Sequence, residues 1–442
     1  MSQKRVHLTS IGCKLNAHET ELIAVLIRDA GFTTVEKGEA TDYIILNSCT
    51  VTGRSDQRTR NLLRSAKRNN PKAIVIVTGC SVQTSWETLR DIKEVDFIRG
   101  NLEKDDLPCL LADLEQGGTP PRCLVSDMTN PGPLKVPILK EFRSLSRPFI
   151  KIQDGCDNRC TYCAIPAARG PQRSSPPEKV LEQVKVFTDL GFNELVLSGV
   201  HLGAYGIDLK DYDTNLRKLL EQMLKDANCP RLRVSSLEPL EFTDELNGFL
   251  IEQMNGGRIC RHLHIPLQSG CDHTLSVMNR RYTTAQYKEL VDELTSKIPN
   301  LAIGADVLIG FPGESDEHFA TTFDFVKSLP LAYLHVFSYS IRPGTPAAEM
   351  KEQINPEVKK TRAARMRKLS EEKRRSFLQT QIGVTLPCIV IQPSKSKKQT
   401  FELLADNYVK ILVPDHGNFE QGTKAQAKPE MVLDQEVAGT VV

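Results

Sequence analysis

No apolar run in the 442-residue chain reaches the roughly 18 residues that a membrane helix needs. The leading Met1-Ser2-Gln3-Lys4-Arg5 passes straight into a strand-like run, without the apolar stretch of a signal peptide. These two absences predict a cytoplasmic protein with no membrane partner. An excess of one charge is also lacking. The 57 Lys and Arg against 55 Asp and Glu leave a net charge of +2. Nucleic-acid binding, if present, must therefore come from local patches. Apolar content of 40% and charged content of 25% are those of an ordinary globular protein, and the length predicts two to four domains. Cysteine is not scarce. Twelve of them in a cytoplasmic chain argue for metal or redox use rather than disulfides.

The densest group is Cys156-Asp157-Asn158-Arg159-Cys160-Thr161-Tyr162-Cys163, with Gly155 before it. Its spacing is C-x3-C-x2-C. Thiolates are soft ligands, and several from one short loop point to zinc or an iron–sulfur cluster. A structural zinc site generally takes four ligands in two spaced pairs. Here no fourth Cys or His follows closely. Three thiolates on a four-iron cube leave one iron open to a small molecule. The alternatives are a zinc knuckle and buried free thiols.

Residues 1–120 alternate between strand and helix patterns. Val6–Ile11, Tyr43–Leu46 and Ile74–Val77 read as strands. The last two are continuously apolar, as strands of a parallel sheet are when both faces are covered. Asn16 with Glu19 three residues on reads as a helix N-cap pattern. Cys13, Cys49 and Cys80 each fall just past a strand end. In a parallel sheet those ends share one edge, where ligands bind. Gly12 and Gly79 suit tight turns beside a bulky group. The alternative is three unrelated buried cysteines. Gly and Pro enrichment over 117–147 marks a linker, and Cys109 and Cys123 beside it read as structural thiols.

Six further strands are expected: Phe149–Gln153, Glu194–Val200, Arg231–Glu238, His262–Gln268, Ala302–Phe311 and Tyr333–Ser340. Helical patterns separate them, so the region reads as an open relative of the eight-stranded barrel, with its chemistry at the carboxyl ends of the strands. Those ends carry the cysteine loop, Ser198-Gly199, Ser236 with Glu238, His264 to Gly270, and Gly310 to Glu314. Asp306 lies on the fifth strand, and Arg342 follows the sixth. Residues 355–381 form a long basic helix. The final residues alternate as a small antiparallel barrel would, with Lys395, Lys397 and Lys398 in a hairpin loop. Barrels of that size bind single-stranded nucleic acid, so helix and barrel together predict an RNA face.

On these residues the chain closely resembles the methylthiotransferases of the radical S-adenosylmethionine (SAM) enzymes. Its N-terminal part is similar to their auxiliary-cluster domain and its last part to their TRAM domain. Ala168-Arg169-Gly170 with Arg173-Ser174, His264–Gly270 and Gly310–Glu314 support the likeness. The resemblance implies an α/β protein with an N-terminal parallel α/β domain (1–120), a linker (121–141), a partial (β/α)6 radical SAM barrel (142–375) and a TRAM barrel (376–442). It implies two 4Fe-4S clusters, one on Cys13, Cys49 and Cys80 and one on Cys156, Cys160 and Cys163. SAM serves as radical source and methyl donor, held by Tyr162, Ser198, Gly199, Ser236, Glu238 and Gln268. No residue is needed as a leading acid or base. The implied partners are the tRNA anticodon stem-loop and an electron donor such as flavodoxin or ferredoxin. Gly12-Cys13-Lys14-Leu15-Asn16, Gly199–Gly206 and His335–Ser340 look most like the branch that modifies N6-threonylcarbamoyladenosine. In that branch Arg169 or Arg342 is suited to the threonyl carboxylate. The sister branches modify isopentenyl-adenosine in tRNA or an aspartate of a ribosomal protein.

Overall fold

Every residue is described by the computed structural model except Met1, Ser2, Ser144, Leu145, Asp226, Asn228 and His416. Met1 and Ser2 of the leading run, and Ser144 and Leu145 of the Gly- and Pro-rich stretch, thus lie outside the described residues. The chain divides into two units: 1–143 with 153–175 and 340–345, and 144–152 with 176–339 and 346–442.

The first unit is built on a six-stranded sheet. Its strands are β1 (Arg5–Ser10), β2 (Thr33–Val35), β3 (Tyr43–Ser48), β4 (Ile74–Gly79), β5 (Phe97–Arg99) and β6 (Cys123–Leu124), in the order β2-β1-β3-β4-β5-β6. Every pairing is parallel. Helices α1 (Lys14–Asp29), α2 (Gly53–Asn69), α3 (Cys80–Arg90) and α4 (Leu107–Glu115) form the crossovers. Successive side chains on a strand point to opposite faces, and the core divides accordingly. Ile44, Leu46, Val75 and Val77 join Leu63 of α2 on one face. Ile45 and Ile76 join Ile23 and Ile27 of α1 and Leu107 and Leu111 of α4 on the other. Each such buried aliphatic contributes about 1.5–3 kcal/mol of transfer free energy. The stretch read as a linker contributes β6 to the sheet and buries Met128, Leu139 and Phe142.

The second unit contains six parallel strands in two sheets. One holds Leu232–Arg233, Leu195–Ser198 and Phe149–Lys151, in that order. The other holds His262–His264, Ala302–Ile309 and Tyr333–Ser338. Bridges Leu232↔Ile259 and Ser236↔His264 join the two sheets into one open array. The expected strand positions hold, but the regular strands are shorter, and their polar ends are held only by isolated bridges such as Ser236↔His264 and Gln268↔Val307. The last five strands, Leu386–Pro393, Thr400–Ala405, Lys410–Pro414, Lys424–Val432 and Val437–Val441, close a barrel. Five strands cannot alternate in direction all the way round a closed ring. One pair, Lys410–Pro414 with Val437–Val441, is therefore parallel where an all-antiparallel barrel was expected. Leu378, near the end of the helix Pro356–Thr380, enters the barrel core and ties the two together. Among the described residues no helix is long and apolar enough to cross a membrane.

Candidate metal centres

Adjacent parallel strands bring the first three cysteines to one sheet edge. Ser48 of β3 lies in register with Gly79 of β4, and Cys49 and Cys80 are the next residues. Ser10 of β1 pairs with Asn47, and Cys13 follows three residues later as the residue preceding α1. Gly12 has φ +112°, and a Cβ there would lie 2.9 Å from the Cys49 Sγ. Gly79 has φ +100°, and its Cβ would lie 2.4 Å from the Ser48 carbonyl oxygen. Both turns therefore need glycine, for close approach to the chain itself. Cys49 and Cys80 are buried and Cys13 is exposed. Burial pushes the Cys49 thiol up to about 11, and the neighbouring Cys80 and Cys13 add to the rise.

Behind this edge lies a buried ionic network absent from the sequence reading. Arg169 is 2% exposed. Its Nη1 donates to Glu19 Oε1 and to Asp154 Oδ1, both at 2.9 Å, and its Nη2 donates to Asn16 Oδ1 at 2.7 Å. Lys104 also pairs with Glu19. Burial opposes the charge on Arg169. Its neighbours, Asp154 first and then Cys80, Glu19 and Cys13, outweigh it and hold the guanidinium well above its ordinary value. Two expectations are corrected here. Arg169 is not available for a substrate carboxylate, because carboxylates of its own chain already occupy it. Asn16 and Glu19 are not a cap: α1 begins at Lys14, so both lie inside the helix. The Asn16 Nδ2 donates to the carbonyls of Ile11 (2.7 Å) and Ser48 (2.9 Å), which pins the chain just before Cys13 and just before Cys49.

The second cysteine loop lies in the same unit, between the paired segments Gln153–Asp154 and Arg173–Ser174. Cys156, Cys160 and Cys163 are all half-buried, as is Tyr162. Gly155, at φ +72°, opens the loop, and a Cβ there would fall 2.0 Å from the Pro171 carbonyl oxygen. Cys156 N donates to Gly170 O at 3.1 Å, and Cys163 N to Cys160 O at 3.1 Å. Two separate sets of three soft donors, neither with a fourth protein thiol beside it in sequence, suit iron–sulfur ligation better than a four-ligand zinc site.

Arg342, the other residue expected at a carboxylate, is 7% exposed and paired with Asp56 of α2. It is corrected for the same reason as Arg169. In the second unit, Ser198 is buried, Gly199 is half-buried, and Ser236 bridges to His264. Glu238 is not a free acceptor: Arg280 pairs with its carboxylate, and burial holds that carboxyl above its usual value. Gln268 sits at φ 64°, a strained setting for a residue with a side chain. Its backbone is fixed by Asp306 O at 2.8 Å and Leu308 N at 2.9 Å.

His264, Asp306 and His335 form a group that their sequence spacing does not mark. His264 Nε2 lies 2.9 Å and His335 Nδ1 3.2 Å from one Asp306 oxygen. Burial favours the neutral acid, but the two histidine hydrogen bonds outweigh it and hold Asp306 well below the carboxylate range. The expected basic helix is present as Pro356–Thr380, and some of its cations are engaged within the unit. Arg362 pairs with Glu314 and Asp316, and Arg365 stacks on Phe319 and Phe323. Lys373 donates to the carbonyls of Lys327 and Leu329, and burial pulls it down to about 8. Part of its charge thus serves packing within the unit, while Lys360, Arg365, Arg367, Lys368 and Arg375 stay exposed. On the terminal barrel, Lys395, Lys397, Lys398, Lys424 and Lys428 are exposed, whereas Lys410 pairs with Glu402.

Residues 150–326 match the Radical SAM superfamily, and residues 5–100 match the uncharacterized protein family UPF0004. The chain is 36% identical to the threonylcarbamoyladenosine tRNA methylthiotransferase MtaB of Bacillus subtilis (strain 168), over 91% of this chain and 89% of the relative. It is 35% identical to the protein of the same name from Aquifex aeolicus (strain VF5), over 92% and 96%. A tRNA-2-methylthio-N(6)-dimethylallyladenosine synthase of Staphylococcus haemolyticus (strain JCSC1435) is 32% identical over 82% of this chain and 70% of the relative. Among solved structures, the radical S-adenosylmethionine methyltransferase TsrM from Kitasatospora setae, with cobalamin and a 4Fe-4S cluster bound, superposes with a TM-score of 0.57. It has 15% identity, with 78% of this chain and 77% of that chain covered, a likeness of fold.

Proposed function

The chain belongs to the radical SAM methylthiotransferases, enzymes that use SAM and two 4Fe-4S clusters, and from that premise we propose that it 2-methylthiolates N6-threonylcarbamoyladenosine at position 37 of tRNA, beside the anticodon. Action on tRNA is common to the relatives named above. The finer assignment is carried by one observation: likeness to two threonylcarbamoyladenosine enzymes extends over more than nine-tenths of this chain. The motifs at Gly12–Asn16, Gly199–Gly206 and His335–Ser340 support the same branch.

In this reading Cys156, Cys160 and Cys163 hold the cluster that binds SAM, and Cys13, Cys49 and Cys80 hold the auxiliary cluster. When bound, these groups supply reductive cleavage of SAM and the sulfur that enters carbon 2 of adenine, a carbon whose hydrogen acid–base chemistry cannot usefully remove. The chain's own residues position these groups. Asn16 ties the Cys13 and Cys49 turns to one side chain. Arg169 places a buried positive charge near Cys80 and Cys13, which offsets the negative charge of thiolate ligation. Gly155 lets the second loop turn back against Pro171. Tyr162, Ser198, Gly199, Ser236 and Gln268 remain the candidate SAM contacts, and the exposed lysines of the terminal barrel are candidate contacts for tRNA phosphates. A one-electron donor such as flavodoxin or ferredoxin completes the reaction.

The test is a competition. Reconstituted protein, SAM and reductant are incubated with tRNA carrying threonylcarbamoyladenosine and tRNA carrying isopentenyl-adenosine, and the nucleosides are weighed by mass spectrometry. The expected adduct is on the first. An adduct on the second alone moves the chain to the sister branch.

A further inference from the structure

The outer face of α2 carries five arginines: Arg54, Arg58, Arg60, Arg64 and Arg68, all exposed. Among the described residues, none of the five has an ion-pair or hydrogen-bond partner. The only carboxylate on the helix, Asp56, is taken by Arg342, and Lys67 is paired with Asp96. At about 100° per residue, the five span an arc of about 160° whose centre lies opposite the stripe of Thr59, Leu62, Leu63 and Ala66 that faces the sheet. At about 1.5 Å per residue, the arc runs about 21 Å along the helix. A solvated helix face ordinarily alternates its signs, and like charges four apart are destabilising. Three such pairs occur here: Arg54 with Arg58, Arg60 with Arg64, and Arg64 with Arg68. In a chain with a net charge of only +2 this is a local concentration of unpaired charge.

We propose that this arginine face of α2 is a second binding surface for the tRNA, gripping its phosphodiester backbone beside the turn that carries Cys49. The inference rests on the tRNA substrate and adds a contact outside the terminal barrel. Guanidinium groups match phosphate oxygens through two donors at once, which a row of lysines does not do. The remaining exposed residues on the arc include Gln57 and Asn61, which also donate hydrogen bonds. A protein partner would call for apolar or aromatic anchors at the centre of its interface, and the outward arc of α2 has none.

The experiment compares the wild type with the triple variant Arg60→Gln, Arg64→Gln, Arg68→Gln. Affinity for unmodified tRNA is measured by fluorescence anisotropy over a range of salt concentrations. Iron content and the thermal melt check that the variant is folded and loaded. Replacing these arginines relieves repulsion, so the helix itself should survive. The expected result is affinity lower by about tenfold or more, and a log–log salt slope shallower by about two to three. The matched Arg→Lys triple variant should recover most of the salt slope. Unchanged affinity and slope overturn the proposal. So does a variant that keeps its tRNA affinity but is reduced more slowly by flavodoxin, which would make α2 a docking face for an acidic redox protein. The adduct's position tests the substrate assignment separately. A protein that modifies isopentenyl-adenosine yet needs these arginines to bind tRNA leaves this inference standing.

Discussion

Arg169 and Glu19 meet through two hydrogen bonds, Nη1 to Oε1 at 2.9 Å and Nη2 to Oε2 at 3.3 Å, although 150 residues separate them in the chain. Both are buried, and Asp154 shares the same guanidinium. The pair joins α1, which follows Cys13, to the segment that follows the Cys156–Cys163 loop. It is the charged link between the two candidate cluster sites of one unit.

Arg169→Gln should be strongly destabilising. Removing one partner of a buried ion pair costs about 3–5 kcal/mol, because the remaining charge has lost its compensation. Lys104 still serves Glu19, so the lower end of that range is expected. Urea denaturation of the purified protein measures it. A loss under about 1 kcal/mol, the level of an exposed pair, would contradict the buried network.

Gly155→Ala should empty one cluster site. The added methyl would meet the Pro171 carbonyl at 2.0 Å, at a φ that alanine avoids. After anaerobic reconstitution, the variant should bind about four fewer iron atoms per chain, one cubane, than the wild type. Equal iron content would show that the loop tolerates the turn without glycine.

Acid should weaken the second unit through Glu194. Burial opposes its ionisation, but Arg233, Arg231 and Arg147 outweigh burial and hold the carboxyl well below the usual range. A depressed carboxyl gives stability that is fully present above its unfolded pKa of about 4.3 and lost as pH falls toward the folded value. The stability gap between wild type and Glu194→Gln should therefore be flat from about pH 7 to 5 and shrink below about pH 4. A gap that instead grows in acid would reverse the sign of the shift.

The convergence of Cys13, Cys49 and Cys80 on one edge could be read from the chain because it depends on local signals: buried apolar runs, strand ends and the parallel order they imply. The partners of Arg169 could not. They come from Asn16, Glu19 and Asp154, and nothing near Arg169 in sequence marks a guanidinium that is already occupied. Asn16 and Glu19 illustrate the converse error. Their spacing matches a helix cap, but tertiary contacts start the helix earlier and give both side chains other work. The placement of basic residues on helices shows the same limit. Pro356–Thr380 turns Arg362, Lys373 and Arg374 inward, while α2 leaves five arginines facing solvent. Which row of a helix is covered depends on packing that composition does not record.

The central claim is that two thiolate triads divide the work. The measurement is mass spectrometry of tRNA nucleosides after reaction with SAM and reductant, using the wild type and a variant with Cys13, Cys49 and Cys80 all changed to Ser. The account predicts 2-methylthio-N6-threonylcarbamoyladenosine from the wild type and no methylthio product from the variant, with SAM still cleaved. Methylthio product from the triple-serine protein, or none on threonylcarbamoyladenosine from a wild type loaded with both clusters, would contradict it.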